Sequence, residues 1–396
     1  MSKKKEILFV MNNLNVGGAE KALVSLLQVF DYEKYNVDLL LFKKEGLFLS
    51  QIPPEVNILK EPRNYRYFDM PFFQVLSENF FNLKWNVIWQ RIQFKRTSKK
   101  ATNPAQAEQF GWKPLAKTLK PLAKQYDVAI GFLEKNPNYF VIDKVISKTK
   151  LAFIHTDYNK IGMSEKVDFP YIEKFDKVFV VSNESKKTIQ YVFPQLKNKF
   201  LTFQNILSEK TIKKLSKEKI EDLPYKNLII SVGRLTVSKG YDRSVEALHI
   251  LKKKGIEFTW IILGEGELQN KLVTSISHKG LINNVLLLGN KENPYPYILK
   301  ADIFLHASDF EGDGIAVSEA KVLLKPIVLT DFATARNHIE DNVTGLIVEF
   351  NANKIAEALE KLINNRRLRE SFSENLSKEN WGTEHEIEKL YQLIES

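Results

Sequence analysis

Apolar residues fall along this chain in short unbroken runs, each followed by an amphipathic stretch or a polar loop. Residues 6–11, 37–42, 56–59, 127–132, 151–155 and 177–182 are runs of this kind. Such a run reads as a strand buried on both faces, as in a parallel sheet. After the first run, Ala19 to Phe30 carries apolar residues at helical spacing. A charged stretch at 205–226, with a proline near its end, reads as a linker, and the pattern then restarts. Strands are predicted over 227–232, 258–263, 285–288, 303–306 and 326–330, and a helix over 241–254. Strand and helix alternating in two successive blocks predict an α/β protein of two Rossmann-like domains. The expected domains span 1–205 and 206–380, with a last helical segment over 381–396.

Residues 63–110 interrupt this pattern. Tyr65, Tyr67, Phe68, Phe72, Phe73, Phe80, Phe81, Trp85 and Trp89 are interleaved with arginines and lysines from Arg63 to Lys100. Three readings stand for this insertion: an interfacial membrane or lipid-acceptor contact, an acceptor groove, or a helical hairpin with its own small core.

Charge sharpens the first reading. The 396 residues carry a formal net charge of +10, unevenly spread. Thirty-three Lys and Arg against twenty-one Asp and Glu over residues 1–210 leave +12 there and −2 in the remainder. A basic half attracts anionic partners such as phospholipid headgroups, nucleic acid or phosphate-bearing substrates; a merely solvated lysine surface is the plain alternative. There is no cysteine, which excludes disulfides, thiolate metal sites and a cysteine nucleophile and fits a cytosolic protein. The basic start is followed by about six apolar residues, too few for a signal peptide or a membrane span.

Four glycine-containing turns follow predicted strands, where doubly wound sheets bind ligands. Gly17-Gly18 open a helix, either as a simple turn or to bring backbone amides to a phosphate or sugar hydroxyl. Gly233-Arg234-Leu235 and Ser238-Lys239-Gly240 place two cations just past a strand end, where they can neutralise a diphosphate. Gly264-Glu265-Gly266 is equally a tight turn or a ligand contact. Glu311-Gly312-Asp313-Gly314-Ile315 through Glu319 is the sharpest element. A helix starting near Ile315 points free amides at an anion. One of the two carboxylates can reach a sugar while the other accepts from ribose hydroxyls.

These elements, in this order, resemble the group 1 family of retaining glycosyltransferases, with its Glu-x7-Glu motif. The resemblance covers about 227–365 almost throughout, and 6–42, 154–157 and 180–183 more loosely. It implies a GT-B fold, two Rossmann-like domains facing a central cleft. It implies transfer of a sugar from a nucleotide-diphospho-sugar, UDP being the expected nucleotide, to a polysaccharide, teichoic acid, glycolipid or glycoprotein acceptor. Arg234 and Lys239 would then hold the diphosphate and stabilise the leaving phosphate. Glu311 would contact the donor sugar beside amides of Gly312, Asp313 and Gly314, and Glu319 would hold the ribose. Gly17 and Gly18 would line the cleft, with Gly233, Gly264 and Ile315 on the donor side, and His155 would sit near the donor sugar. The last helix would return to the first domain.

Two residues depart from the family pattern: Asp313 stands where an aromatic is usual, and Ala316 where a proline is. A carboxylate beside a diphosphate costs Coulomb energy unless it faces solvent or a cation. The sequence holds neither an Asp-x-Asp triplet nor a His/Cys cluster, so a metal-independent mechanism without a cofactor is expected. Three rival readings are a non-catalytic transferase-like scaffold, a dinucleotide-dependent oxidoreductase and a nucleic-acid binder. Retention of both cations and both glutamates opposes the scaffold. Gly17-Gly18 in place of G-x-G-x-x-G opposes the oxidoreductase. Nucleic acid is not expected as a partner, since the aromatics lie in an insertion rather than on a sheet face. Location is expected to be cytoplasmic, with possible peripheral membrane contact. The acceptor and the oligomeric state are not legible.

Overall fold

The computed structural model describes residues 3–80, 84–221, 227–311 and 313–396. The chain divides into two compact units, one of Met1–Asn205 with Glu386–Ser396 and the other of Ile206–His385. Each is built on a parallel sheet.

In the first unit the strands are β1 Lys5–Met11, β2 Tyr35–Leu41, β3 Asn57–Ile58, β4 Gln125–Gly131, β5 Ile146–Ile154, β6 Lys177–Val180 and β7 Phe200–Thr202. They lie in the order β3-β2-β1-β4-β5-β6-β7, and every pairing is parallel. The chain thus winds one way from β1, then crosses to continue on its other side, the Rossmann arrangement. Ile7 through Met11 are fully buried, the double-sided burial that an unbroken apolar run requires. The helix Ile387–Glu395 closes this unit. Its Tyr391 stacks on Tyr35 at 5.2 Å, and the Tyr391 hydroxyl accepts from the Asp31 amide at 2.7 Å.

The second unit holds β8 Leu228–Val232, β9 Thr259–Leu263, β10 Val285–Leu287, β11 Ile303–His306, β12 Ile327–Thr330 and β13 Gly345–Val348. Their order, β10-β9-β8-β11-β12-β13, repeats the same winding. Side chains alternate between two cores: Ile229, Trp260, Ile262 and Leu305 enter one, while Ile230, Ile261, Leu263 and Phe304 enter the other. That is the period of two expected of strands covered on both faces. The stretch expected as a linker differs from expectation. It contains the helix Glu209–Leu215, capped by Ser208, which with Leu207 buries Ile212 in the second core. Ile212 and Leu215, three apart on this helix, turn to that core between charged residues. Residues 222–226 lie outside the described residues.

The 63–110 insertion continues into three helices, Phe72–Phe80, Trp85–Ser98 and Pro104–Ala116. Its Tyr67, Phe68, Val75 and Val87 join the same core as Leu8, Val10 and Ala129 of the sheet. The reading of a hairpin with a separate core is therefore replaced by an extension of the first unit's own core. Gly111 lets the Phe94 ring lie against its helix, since a Cβ there would stand 2.3 Å from the ring. Phe73, Trp85 and Trp89 stay exposed, at 85%, 52% and 56%. Trp85 and Trp89, four apart on one helix, share a face. Phe81 lies outside the described residues. No described helix is long and apolar enough to cross a membrane.

Candidate active site

In the second unit, β8 and β11 are neighbours although β9 and β10 intervene in sequence. Their C-terminal ends mark the place where strand order reverses, the usual ligand position in such sheets. The Lys239 loop follows β8 and the Glu311 loop follows β11, and backbone contacts fix one on the other. The Asp309 amide donates to Ser238 O at 2.8 Å. Arg243 Nη2 donates to Ala307 O at 2.9 Å. Gly240 takes φ +63, and a Cβ there would lie 2.1 Å from Ala307 O. Only glycine fits both the conformation and the approach.

This bracing brings Lys239 Nζ to 2.5 Å from Glu311 Oε1. His306 Nε2 reaches the same oxygen at 2.6 Å and lies 3.0 Å from Ser308 Oγ. The Glu311 side chain is only 10% exposed. Burial pushes its carboxyl upward, but His306 and Lys239 together outweigh that and hold it well below the usual carboxylate range. An ionised carboxylate only accepts hydrogen bonds, so the His306 nitrogen facing it must carry the proton. Whatever Glu311 meets in a ligand must in turn be a donor, such as a sugar hydroxyl.

A carboxyl lowered on folding contributes stability above its unfolded value, and loses it as pH falls through the folded one. Glu311→Gln is therefore expected to remove part of the acid sensitivity of the second unit below about pH 4.5, the ordinary glutamate value. Acid titrations followed by circular dichroism on parent and variant would check this; unchanged acid limbs would contradict it.

Glu319 lies on the helix Ile315–Val322 and is 1% exposed. The Tyr295 hydroxyl donates to its Oε1 at 3.0 Å. Gly314, at φ +56, precedes that helix, and a Cβ there would touch the His338 ring at 2.7 Å. Burial lowers His338 to about 4, so its ring is neutral. Asp313 has a cation in its field: burial lowers Lys321 to about 8, against the pull of Glu379 and Asp313. The Lys321 ammonium also sits 3.8 Å above the Trp381 ring. Gly312 lies outside the described residues.

Arg234 occupies the Lys239 loop with an exposed side chain. Gly233 and Gly264 face each other: a Cβ on Gly264, at φ +145, would stand 2.0 Å from Gly233 O. A Cβ on Gly266 would stand 2.5 Å from Leu235 O. Here the tight-turn reading has a direct physical cause, one backbone resting on another. Gly264→Ala is expected to destabilise by about 1–3 kcal/mol through enforced strain, read as a lower urea midpoint.

Gly17, Gly18 and His155 belong to the first unit. Gly17 is extended, at φ −168, just before the helix Gly18–Gln28. The His155 amide donates to Glu134 Oε2 at 3.1 Å, and Thr156 Oγ1 donates to Glu134 Oε1 at 3.0 Å. The ring stacks on Phe153; burial lowers it to about 4 against the pull of Glu134. The structure thus joins Lys239 to Glu311, seats Gly314, Ile315 and Glu319 on the adjoining helix start, and packs Gly233 on Gly264. His306, Ser308 and Tyr295 were missed from sequence. The usable signal was a histidine closing an apolar strand five residues before Glu311.

Residues 194–379 match the model of the family described as glycosyl transferases group 1. An uncharacterized glycosyltransferase, MJ1059 of Methanocaldococcus jannaschii, is 34% identical over 190 residues, 46% of this chain and 47% of that protein. The poly(ribitol-phosphate) alpha-N-acetylglucosaminyltransferase of Staphylococcus aureus is 27% identical over 251 residues, 61% of this chain and 49% of that protein. The chain spans about half the length of these curated relatives. In fold, it is similar to S. aureus TarM in complex with Fondaparinux, alpha-GlcNAc-glycerol and UDP. That similarity has a TM-score of 0.68 and 16% identity, over 99% of this chain and 100% of that one.

Proposed function

We propose that the chain, which matches the model of the group 1 glycosyl transferases over residues 194–379 and is similar in fold to S. aureus TarM, moves a sugar from a UDP-sugar to a hydroxyl of an envelope polymer or glycolipid. The observation that carries this is the Lys239–Glu311–His306 cluster at the strand-order reversal of the second unit. In this reading the diphosphate lies against Lys239, Arg234 and the amides at the start of the helix Ile315–Val322. Glu311 accepts from donor sugar hydroxyls and Glu319 from the ribose.

The bond from the anomeric carbon to the diphosphate breaks, and a bond to the acceptor oxygen forms on the same face, so configuration is retained. The acceptor's proton passes to the departing phosphate oxygen. Fixed cations and helix amides meet the charge that develops there, without a metal ion or cofactor. The activities named for two S. aureus relatives, a poly(ribitol-phosphate) and a capsular polysaccharide glycosyltransferase, support a teichoic-acid or capsule-like acceptor.

The test is release of UDP from UDP-sugars, with and without poly(ribitol phosphate) and other polyol acceptors, in EDTA. Acceptor-dependent release and an α-linked product by NMR from an α-linked donor are expected. Donor binding without turnover toward any acceptor would replace the enzyme with a binding subunit.

We infer a cytoplasmic reaction with peripheral contact at the inner face of the membrane. The exposed Phe73, Trp85 and Trp89 and the basic excess of residues 1–210 support peripheral contact with anionic lipid. Binding to vesicles containing phosphatidylglycerol, lost at high salt and in a Trp85→Ser, Trp89→Ser variant, is expected in a sedimentation assay. Equal binding by the variant would remove this contact from the account.

A further inference from the structure

Lys321 lies on the helix Ile315–Val322 and is only 7% exposed, yet the proposed reaction gives it no task. A lysine ammonium carries three donors. Among the described residues it meets no hydrogen-bond acceptor; instead it lies 3.8 Å from the centroid of the Trp381 ring. Burying a charge without a hydrogen-bonded partner is costly, and a ring face offsets only part of that cost. An anion within reach can therefore draw the ammonium off the ring.

The lysine and its ring belong to two different parts of the second unit. Long side chains on a helix run toward its N-terminus, and for Lys321 that direction is the Glu311–Ile315 loop. His338 lies against this loop, since a Cβ on Gly314 would stand 2.7 Å from its ring, and the Lys321 charge acts on His338. Trp381 belongs to the segment that leads out of the unit. Its amide donates to Glu209 Oε1 at 2.6 Å and its Nε1 to Leu376 O at 2.8 Å. Two residues on, the Thr383 amide donates to Leu207 O at 3.0 Å, and the Leu207 amide to Thr383 Oγ1 at 2.8 Å. The chain passes between the units after Asn205 and again after His385, so these bonds tie its two passages together.

We propose that Lys321 and Trp381 form an occupancy-sensitive link between the start of the helix Ile315–Val322 and the tied passages of the chain. An anion bound at the helix start draws the ammonium from the indole toward its own charge, and the 381–383 segment loses one of its anchors. The ligand supplies the counter-charge that the lysine lacks, so the link also strengthens binding. Identifying that anion as the donor diphosphate rests on the transferase reading.

The experiment is a UDP titration of the full chain, followed by calorimetry, tryptophan emission and hydrogen exchange of the peptide around Trp381. The chain has five tryptophans, and Trp381→Phe isolates the Trp381 emission by difference. In the parent, UDP is expected to change that emission and to speed exchange at the Trp381 and Thr383 amides. Lys321→Met keeps an apolar stem and removes the charge. It is expected to bind UDP about five- to thirtyfold more weakly, the range of a desolvated cation–π contact, and to show no change at Trp381. Trp381→Phe loosens the hold on the ammonium and should bind UDP at least as tightly as the parent. A merely structural contact would weaken UDP binding in both variants alike, and that result would overturn the proposal. So would UDP binding that leaves Trp381 emission unchanged. If Lys321→Met does not fold, the parent's emission and the affinity of Trp381→Phe still decide. A parent that binds no UDP contradicts the donor reading, and inorganic pyrophosphate then tests the link alone: a change in Trp381 emission upholds it and none overturns it.

Discussion

Lys239→Ala is expected to lower kcat/KM for sugar transfer by about 10²–10³-fold, roughly 2.7–4 kcal/mol, the cost of removing one group that stabilises developing charge. Two effects act in the same direction. In the proposed mechanism the leaving diphosphate loses the Lys239 ammonium, and Glu311 keeps His306 on its shared oxygen. The two are separable. Glu311→Gln leaves Lys239 in place without its counter-charge, so it should impair use of the sugar while retaining affinity for UDP alone. Lys239→Ala should weaken UDP as well. Steady-state kinetics beside UDP titrations of both variants would check the pattern. Wild-type turnover in Lys239→Ala would remove the lysine from the mechanism.

Glu319→Ala is expected to weaken UDP binding about ten- to hundredfold, the range for losing hydrogen bonds to a charged acceptor, roughly 1.5–3 kcal/mol. The resemblance gives Glu319 a ribose-binding role; its burial and its bond from Tyr295 add a structural one. The alanine variant removes the buried bond from the Tyr295 hydroxyl and should also lose about 1–3 kcal/mol of stability. Tyr295→Phe is the control: it removes the tyrosine's bond and leaves the carboxylate. It should retain most of the UDP affinity if Glu319 serves the ribose directly. Equal losses in both variants would assign Glu319 a structural role only.

The central strands were legible because each is buried on both faces and so reads as an unbroken apolar run. β7 and β13 were not, being short strands at sheet edges whose side chains are only partly covered. β5 begins at Ile146, five residues before its apolar run, because Ser147 to Lys150 alternate along a half-covered stretch. In the site, glycine turns flagged Lys239 and Glu311, since glycine is required where two loops brace each other. His306 was invisible because it ends an apolar strand and reads as part of it. The insertion's aromatic content was plain, but its division was not. Tyr67 and Phe68 turn inward while Trp85 and Trp89 face out, and local composition does not distinguish these fates.

The central claim is that a nucleotide-diphospho-sugar sits at the Lys239 end of the second unit's sheet. Thermal unfolding of the parent and Lys239→Ala against a panel of nucleotides and nucleotide-sugars tests it most directly. A ligand at about 100 times its Kd stabilises by roughly 2.7 kcal/mol, a readily visible rise in Tm. The account predicts that one UDP-sugar raises the Tm of the parent and that the rise is lost in the variant. No rise with any nucleotide, or the same rise in both proteins, would contradict it.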